Sequence, residues 1–178
     1  SKLERIFTVN AMIAEERNIL HLFQLILDNA ILFSGARRGF VVIRSDVASE
    51  IGEPSSEVRL AEDRASEFAG HRIMAARNMN NENIMQQFPQ ISSTILKQSI
   101  GQEQMIYIQN AVEAFTEAQS VQNSKLLSVI SFPLLERKQV IGAVYLDDPT
   151  QVDAFRAIDK NLIHAFARQA SIAIANSR

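Results

Sequence analysis

Two stretches of helical period open the chain, a series of strand-like runs follows, and one helical period closes it. Leu3, Ile6, Phe7, Asn10 and Ile13 fall at three- and four-residue steps and predict an amphipathic helix over residues 3–16. Residues 19–34, ILHLFQLILDNAILFS, predict a second helix, with Asn18 as N-cap and Gly35 just past its end. Its apolar positions cover more than one stripe, so it is expected to be sandwiched between layers. GFVVI at 39–43 has the continuous apolar character of a strand buried on both faces. Residues 68–78 and 104–108 are further strand candidates. LLSVISFPLL (126–135) and QVIGAVYL (139–146) predict a hairpin closed through ERKQ.

The stretch between the first two strands breaks this pattern. Residues 45–67 are polar and acid-rich, contain Gly52 and Pro54, and predict a long excursion with at most a helical turn around 58–65. A helix is expected near 91–100 with Ser92 as its cap and Gly101 as its stop, and a loop with one or two turns over 110–126. Residues 155–176 predict a long helix with two apolar stripes, Leu162–Phe166–Ala170–Ala173 and Ile163–Ala167–Ile174. One stripe suffices to seat a helix on a sheet, so the second asks for another partner. Helices at both ends with strands and a hairpin between them define an α+β chain with an antiparallel sheet.

Composition narrows the function classes. The 178 residues fit one domain, and 47% hydrophobic content is enough for a core. Eighteen basic and twenty acidic residues give a net charge of -2, which provides no basic face for a nucleic-acid partner. Cysteine is absent, which excludes disulfides, thiolate catalysis and Cys-ligated zinc. No apolar run approaches a membrane helix and no signal peptide is visible, so a cytoplasmic location without a membrane partner is expected.

Candidate chemistry is sparse. Asp147 and Asp148 are adjacent, and consecutive strand residues point to opposite faces, so the two carboxylates cannot flank one bond. With Pro149 behind them they predict a turn leaving the sheet. His21, His71 and His164 share no ligand spacing, and neither Ser55-Ser56 nor Ser92-Ser93 sits in a nucleophile elbow. Arg37-Arg38 is a basic spot of the kind that is usually solvated. The residues offer no catalytic constellation, no metal site and no cofactor.

The order of segments is informative in itself. LFQLILDNAILFSGARRGFVVI (22–43), ISSTILKQSIGQEQMIYI (91–108), SVISFPLLERKQVIGAVYLDDP (128–149) and FRAIDKNLIHAFARQASIAIANSR (155–178) together resemble a GAF domain, most like those of bacterial signalling proteins. The resemblance spans residues 19–178, with residues 1–18 as a preceding signalling or dimerisation helix and 45–67 as an acidic insertion. It implies a twisted antiparallel sheet of five to six strands, terminal helices on one face, and a small-molecule pocket with short helices and loops on the other. It implies a non-catalytic sensor that binds a small ligand, or dimerises, to control an output domain in the same full-length chain, in signal transduction or transcription regulation. The alternative is a dimerisation or protein-interaction domain without a ligand.

On this resemblance Phe40, Val42, Arg77, Ser131, Tyr145 and Asp147 are the expected ligand contacts, with Arg77 and Asp147 as the polar ones. Gly142 would leave room for a neighbouring side chain or the ligand. Leu3, Ile6, Ile13, Ile163, Ala167 and Ile174 are the expected homodimer contacts. The family's other signatures are missing. The Asn-Lys…Phe-x-x-x-Asp-Glu set of cyclic-nucleotide binders is absent, and so is the Cys on which bilin attachment and free-methionine sulfoxide reduction depend. The final helix lacks the usual Ser after Phe155 and is expected to begin later, near Asp159.

Overall fold

A computed structural model describes residues 2–52, 67–68, 70–85, 98, 100–101, 103–111 and 128–177. Helices α1 (Lys2–Glu15) and α2 (Ile19–Ser34) open the chain. The side chain of Asn18 accepts hydrogen bonds from the amides of Leu20 and His21 at 3.0 and 3.2 Å, meeting donors that the helix itself leaves free. Gly35 ends α2 in the left-handed region, φ 74°, and its amide donates to the Ile31 carbonyl at 2.8 Å.

Strand β1 (Arg38–Arg44) leads into helix α3 (Ser45–Ile51), then β2 (Glu67–Phe68), β3 (His71–Asn78), β4 (Ile106–Ile108), β5 (Ser128–Glu136), β6 (Gln139–Asp148) and helix α4 (Lys160–Ser177). The strands form one antiparallel sheet in the order β2-β3-β1-β6-β5-β4. The α+β expectation and its antiparallel sheet therefore hold. Arg137 and Lys138 join β5 to β6, both with positive φ (50° and 66°), as a two-residue primed turn requires.

Several expectations need correction. The start of the acidic stretch is structured: α3 buries Val47 and Ala48, apolar positions whose pattern is short but helical. Residues 53–66 lie outside the described residues, as do most of the expected 91–100 helix and the 110–126 loop. The strand expected over 68–78 is two strands separated by Gly70. The expected turn out of the sheet does follow Asp148, where β6 ends, and both carboxylates are buried. The final helix does begin late, with Asp159 Oδ1 accepting from the Leu162 amide at 3.2 Å.

The sheet separates two cores. On one side α1, α2 and α4 cover Val41, Met74, Ala75, Ile130, Phe132, Val144 and Leu146. Phe166 of α4 packs edge-on to Phe33 of α2 and Phe132 of β5, at 5.8 and 6.4 Å between ring centres. Full burial of such a ring is worth about 1.5–3 kcal/mol. Ile13, Ile163 and Ile174, expected at a homodimer interface, are buried inside the protomer, and Ala167 packs against the same core. The second stripe of α4 is thus taken up by the chain's own helices. The side chains of Leu3 and Ile6 lie outside the described residues.

Gly142 serves backbone contact between strands. A Cβ there would lie 2.1 Å from the Val42 carbonyl oxygen and 2.9 Å from the Ile43 Cα. The space belongs to β1, not to a ligand.

Candidate functional site

Register decides which side chains share the face opposite the helices, because directly opposed residues of antiparallel strands point the same way. One row is Val42, Ala143, Pro133. The next is Phe40, Tyr145, Ser131, Ile106. The last is Arg38, Asp147, Val129, Ile108. Phe40, Val42, Val129, Ala143 and Tyr145 form a second apolar cluster with Ile73, Ala76, Ile84, Ile108 and Ala111. Five of the six expected ligand contacts, Phe40, Val42, Ser131, Tyr145 and Asp147, therefore share this face, all wholly buried.

Arg77 does not join them. It is opposite Gly39, in the row of Leu146 and Ile130 that faces the helices. Its guanidinium donates Nε and Nη2 to the two oxygens of Asp28 in α2, at 2.8 and 3.0 Å. Sequence alone could not fix the parity of β3, and a one-residue change inverts the face. A groove of about 210 Å³ lies beside this ion pair, between the start of α2 and β3, lined by His21, Gln24, Met74, Arg77, Asn83 and Met85 among others.

Asp147 has a partner that sequence reasoning passed over. Arg38 donates Nε to Oδ1 at 2.9 Å and Nη2 to Oδ2 at 2.7 Å. The guanidinium carbon also sits 5.4 Å from the centre of the Phe40 ring, which tilts against Tyr145 at 5.9 Å. Burial pushes the Asp147 carboxyl up, with a smaller contribution from Asp148, and the hydrogen bonds and charge of Arg38 oppose that rise. For Arg38, burial disfavours the charge, but the bonds and charge of Asp147 outweigh it and its pKa rises. The signal for Arg38 was present in its alternation with Phe40 and Val42 along one strand.

Asp148 points the other way. Its Oδ1 accepts from the Thr150 amide and hydroxyl at 2.7 and 2.6 Å and from the Gln151 amide at 3.2 Å. The opposed aim of the two carboxylates agrees with the strand argument and leaves them no shared proton or metal. Among the described residues no group of three or more His, Cys, Asp or Glu could hold a metal ion. No helix among them is long and apolar enough to cross a membrane.

The connection leaving Asp148 is tied to the far edge of the sheet. Ser128 Oγ lies 2.7 Å from the Gln151 carbonyl and 3.2 Å from that of Gln109, and accepts from the Ala154 amide at 2.9 Å. The Asp153 amide donates to the Gln109 carbonyl at 2.8 Å, and the Tyr107 hydroxyl donates to Asp153 Oδ1. Burial, then that hydrogen bond, push the Tyr107 phenol up to about 12. Phe155 packs edge-on to Tyr107, and Lys160 Nζ lies 5.5 Å from its ring centre.

A six-stranded antiparallel sheet with helices on one face and a mixed apolar and polar cluster on the other defines a two-layered α+β fold. The chain belongs to the GAF domain family, whose profile matches residues 18–174. No curated protein matches its sequence. Among solved structures it is similar to the GAF domain of an Acinetobacter phosphoenolpyruvate-protein phosphotransferase, with a TM-score of 0.64 at 12% identity over 99% of this chain and 93% of that one. It is also similar to a free methionine-R-sulfoxide reductase of Neisseria meningitidis solved with its substrate (0.64, 12%, 97% and 87%). A third is residues 122 to 287 of a methyl-accepting chemotaxis protein (0.60, 16%, 97% and 98%). At these identities the likeness is one of fold.

Proposed function

We propose that this GAF domain is a non-catalytic sensor of a bacterial signalling protein, cytoplasmic and homodimeric, that takes a small molecule on the sheet face opposite its helices. The observation that carries the reading is that face itself. It is apolar, yet Ser131, Asp147 and Arg38 are brought to it, the few orienting groups a small-molecule site uses. The output domain, in signal transduction or transcription regulation, belongs to the same full-length chain. β4 supplies the route to it. Ile106 and Ile108 pack on the ligand face, while Tyr107 on the reverse side holds the segment that enters α4.

One similar structure is an enzyme, the methionine sulfoxide reductase. The absence of cysteine here speaks against thiol chemistry, and no other catalytic set is assembled among the described residues.

A thermal-shift screen against nucleotides, amino acids and small organic acids tests the ligand. A compound that binds only the folded state at 100 times its Kd adds about 2.7 kcal/mol of stability. If nothing in the screen shifts the transition, the second reading takes over: a dimerisation module whose face is filled by Phe40, Tyr145 and Ile84 themselves.

The homodimer reading moves to new residues, because Ile13, Ile163 and Ile174 are spent inside the protomer. Phe7 (75% exposed), Met12 and Ile172 remain open on α1 and α4. A groove of about 280 Å³ runs between these helices past Asn10, Ala14, Gln169 and Ile172. Sedimentation of Phe7→Glu/Ile172→Glu is expected to show a folded monomer against a dimeric wild type. A monomeric wild type at high micromolar concentration refutes it.

A further inference from the structure

The guanidinium of Arg38 is used on one edge only. Its side-on edge, Nε and Nη2, is filled by Asp147. Nη1 makes no hydrogen bond among the described residues. Asp147 is wholly buried and the Arg38 side chain is 25% exposed, and the edge of the guanidinium that the carboxylate does not occupy is the outer one. That edge presents N–H groups of both terminal nitrogens in a plane fixed by the Asp147 clamp and by the Phe40 ring beneath. A guanidinium held this way has little rotamer freedom left to lose on binding, and its end-on fork matches the two oxygens of a carboxylate.

Local charge narrows the ligand further. Arg38 is already neutralised by Asp147, and Arg37 stands 4.0 Å from Asp148, so the corner of the sheet carries two cations and two anions. On the ligand face a dianion meets the fixed carboxylate of Asp147 with no surplus cation among the described residues. A monoanion meets less repulsion and can use the free fork. We propose that the outer edge of Arg38 is the anion-recognising group of the ligand face, and that the ligand class is a small monocarboxylic acid. This rests on the reading that the face opposite the helices receives a small molecule.

The test uses matched pairs that differ only in the charged group: benzoate with benzamide, isobutyrate with isobutyramide, L-leucine with L-leucinamide, and inorganic phosphate as the dianionic arm. Binding to the 178-residue chain is followed by calorimetry and thermal shift. At least one acid is expected to bind about tenfold or more tightly than its amide. Arg38→Lys, which keeps the charge but loses the fork, is expected to erase that preference and leave amide binding unchanged. Should Arg38→Lys fail to fold, the isosteric pair Arg38→Met/Asp147→Leu removes both charges together and is expected to show the same loss. Equal binding of acid and amide overturns the proposal and leaves the sensor reading intact, and so does an acid preference that survives in the variants. Preferential binding of phosphate overturns the carboxylate class. No binding by any member overturns this inference, while the ligand-sensing reading stands or falls with the wider thermal-shift screen.

Discussion

Removing one member of the Arg38–Asp147 pair is expected to cost far more than removing both. The carboxylate has no exposed surface and two hydrogen bonds of 2.9 and 2.7 Å, both from Arg38. Arg38→Met leaves that carboxylate buried without its counter-charge, and breaking a buried pair from one side costs about 3–5 kcal/mol. For a chain of this size 1 kcal/mol moves the melting temperature by about 2–4 °C, so the variant is expected to melt about 6–20 °C lower. The double variant Arg38→Met/Asp147→Leu removes both charges and keeps the volume apolar, which is often neutral or stabilising.

The pH dependence has a definite sign. Burial already raises the folded-state pKa of Asp147 above its unfolded value, and losing Arg38 raises it further. A carboxyl with a raised folded pKa contributes stability that is present below the unfolded pKa and lost as pH rises through the folded one. The deficit of Arg38→Met is therefore expected to shrink between about pH 7 and about pH 4, because a protonated carboxyl needs no counter-charge. Urea unfolding of the wild type, both single variants and the double variant at the two pH values gives the coupling energy directly. A single-variant cost below about 1 kcal/mol, the range of a surface pair, would refute the claim that this pair is a buried one acting as a unit.

Gly142→Ala is expected to unfold or strongly destabilise the domain, since its Cβ would stand 2.1 Å from a backbone oxygen that cannot move without opening β1 from β6. A loss of less than about 1 kcal/mol by urea unfolding, below the usual range for overpacking, would show that the strands separate there at little cost. The chain has two tyrosines, and ultraviolet titration is expected to show the Tyr107 phenol ionising near about 12, falling toward its ordinary value in Asp153→Asn. Because that pKa is raised on folding, the stability it contributes is present below about pH 10 and is lost as pH climbs from there through about 12. A Tyr107 titration unchanged by Asp153→Asn contradicts the hydrogen bond as a cause.

The strands that build the central sheet were legible because their residues are β-branched or aromatic in runs too short for helices, as in GFVVI and VIGAVYL. The caps were legible for a local reason as well: Asn18, Gly35 and Asp159 act on backbone within a few residues of themselves. What failed required knowing who packs on whom. The second stripe of α4 stated how much surface had to be covered, and α1 and α2 of the same chain cover it where a second copy was expected. Arg77 failed on parity, since β3 contains an irregular register opposite Val41 and Val42 that no alternation rule foresees. Arg38 is legible by parity with Phe40, but an adjacent pair of arginines is usually solvated. Its burial depends on Asp147, 109 residues away. The helix of α3 was hidden by polar neighbours, although Val47, Ala48 and Ile51 are spaced as a helix requires.

One hydroxyl ties the start of β5 to the segment that enters α4. Ser128 is wholly buried at the start of β5 and has a single proton to give. The Gln151 carbonyl at 2.7 Å is the better acceptor, with the Gln109 carbonyl in reach at 3.2 Å, while the oxygen accepts from the Ala154 amide at 2.9 Å. Ser128→Ala removes both bonds and leaves a carbonyl and an amide to find water. Each such group costs about 1–3 kcal/mol when buried, and the exposed position of Gln151 places the total near the lower end. The Asp153 amide keeps its bond to Gln109, and Tyr107 keeps Asp153, so the segment is loosened and not released. Amide hydrogen exchange is expected to rise at Asp153, Ala154 and the first turn of α4 while the amides of α2 stay as protected as in the wild type. That contrast separates a local latch from a general loss of stability. If exchange rises equally in α2 and α4, Ser128 is part of the core and no more. If it rises in neither, the connection is held by the Tyr107–Asp153 bond and by the Asp153 amide on Gln109, without Ser128.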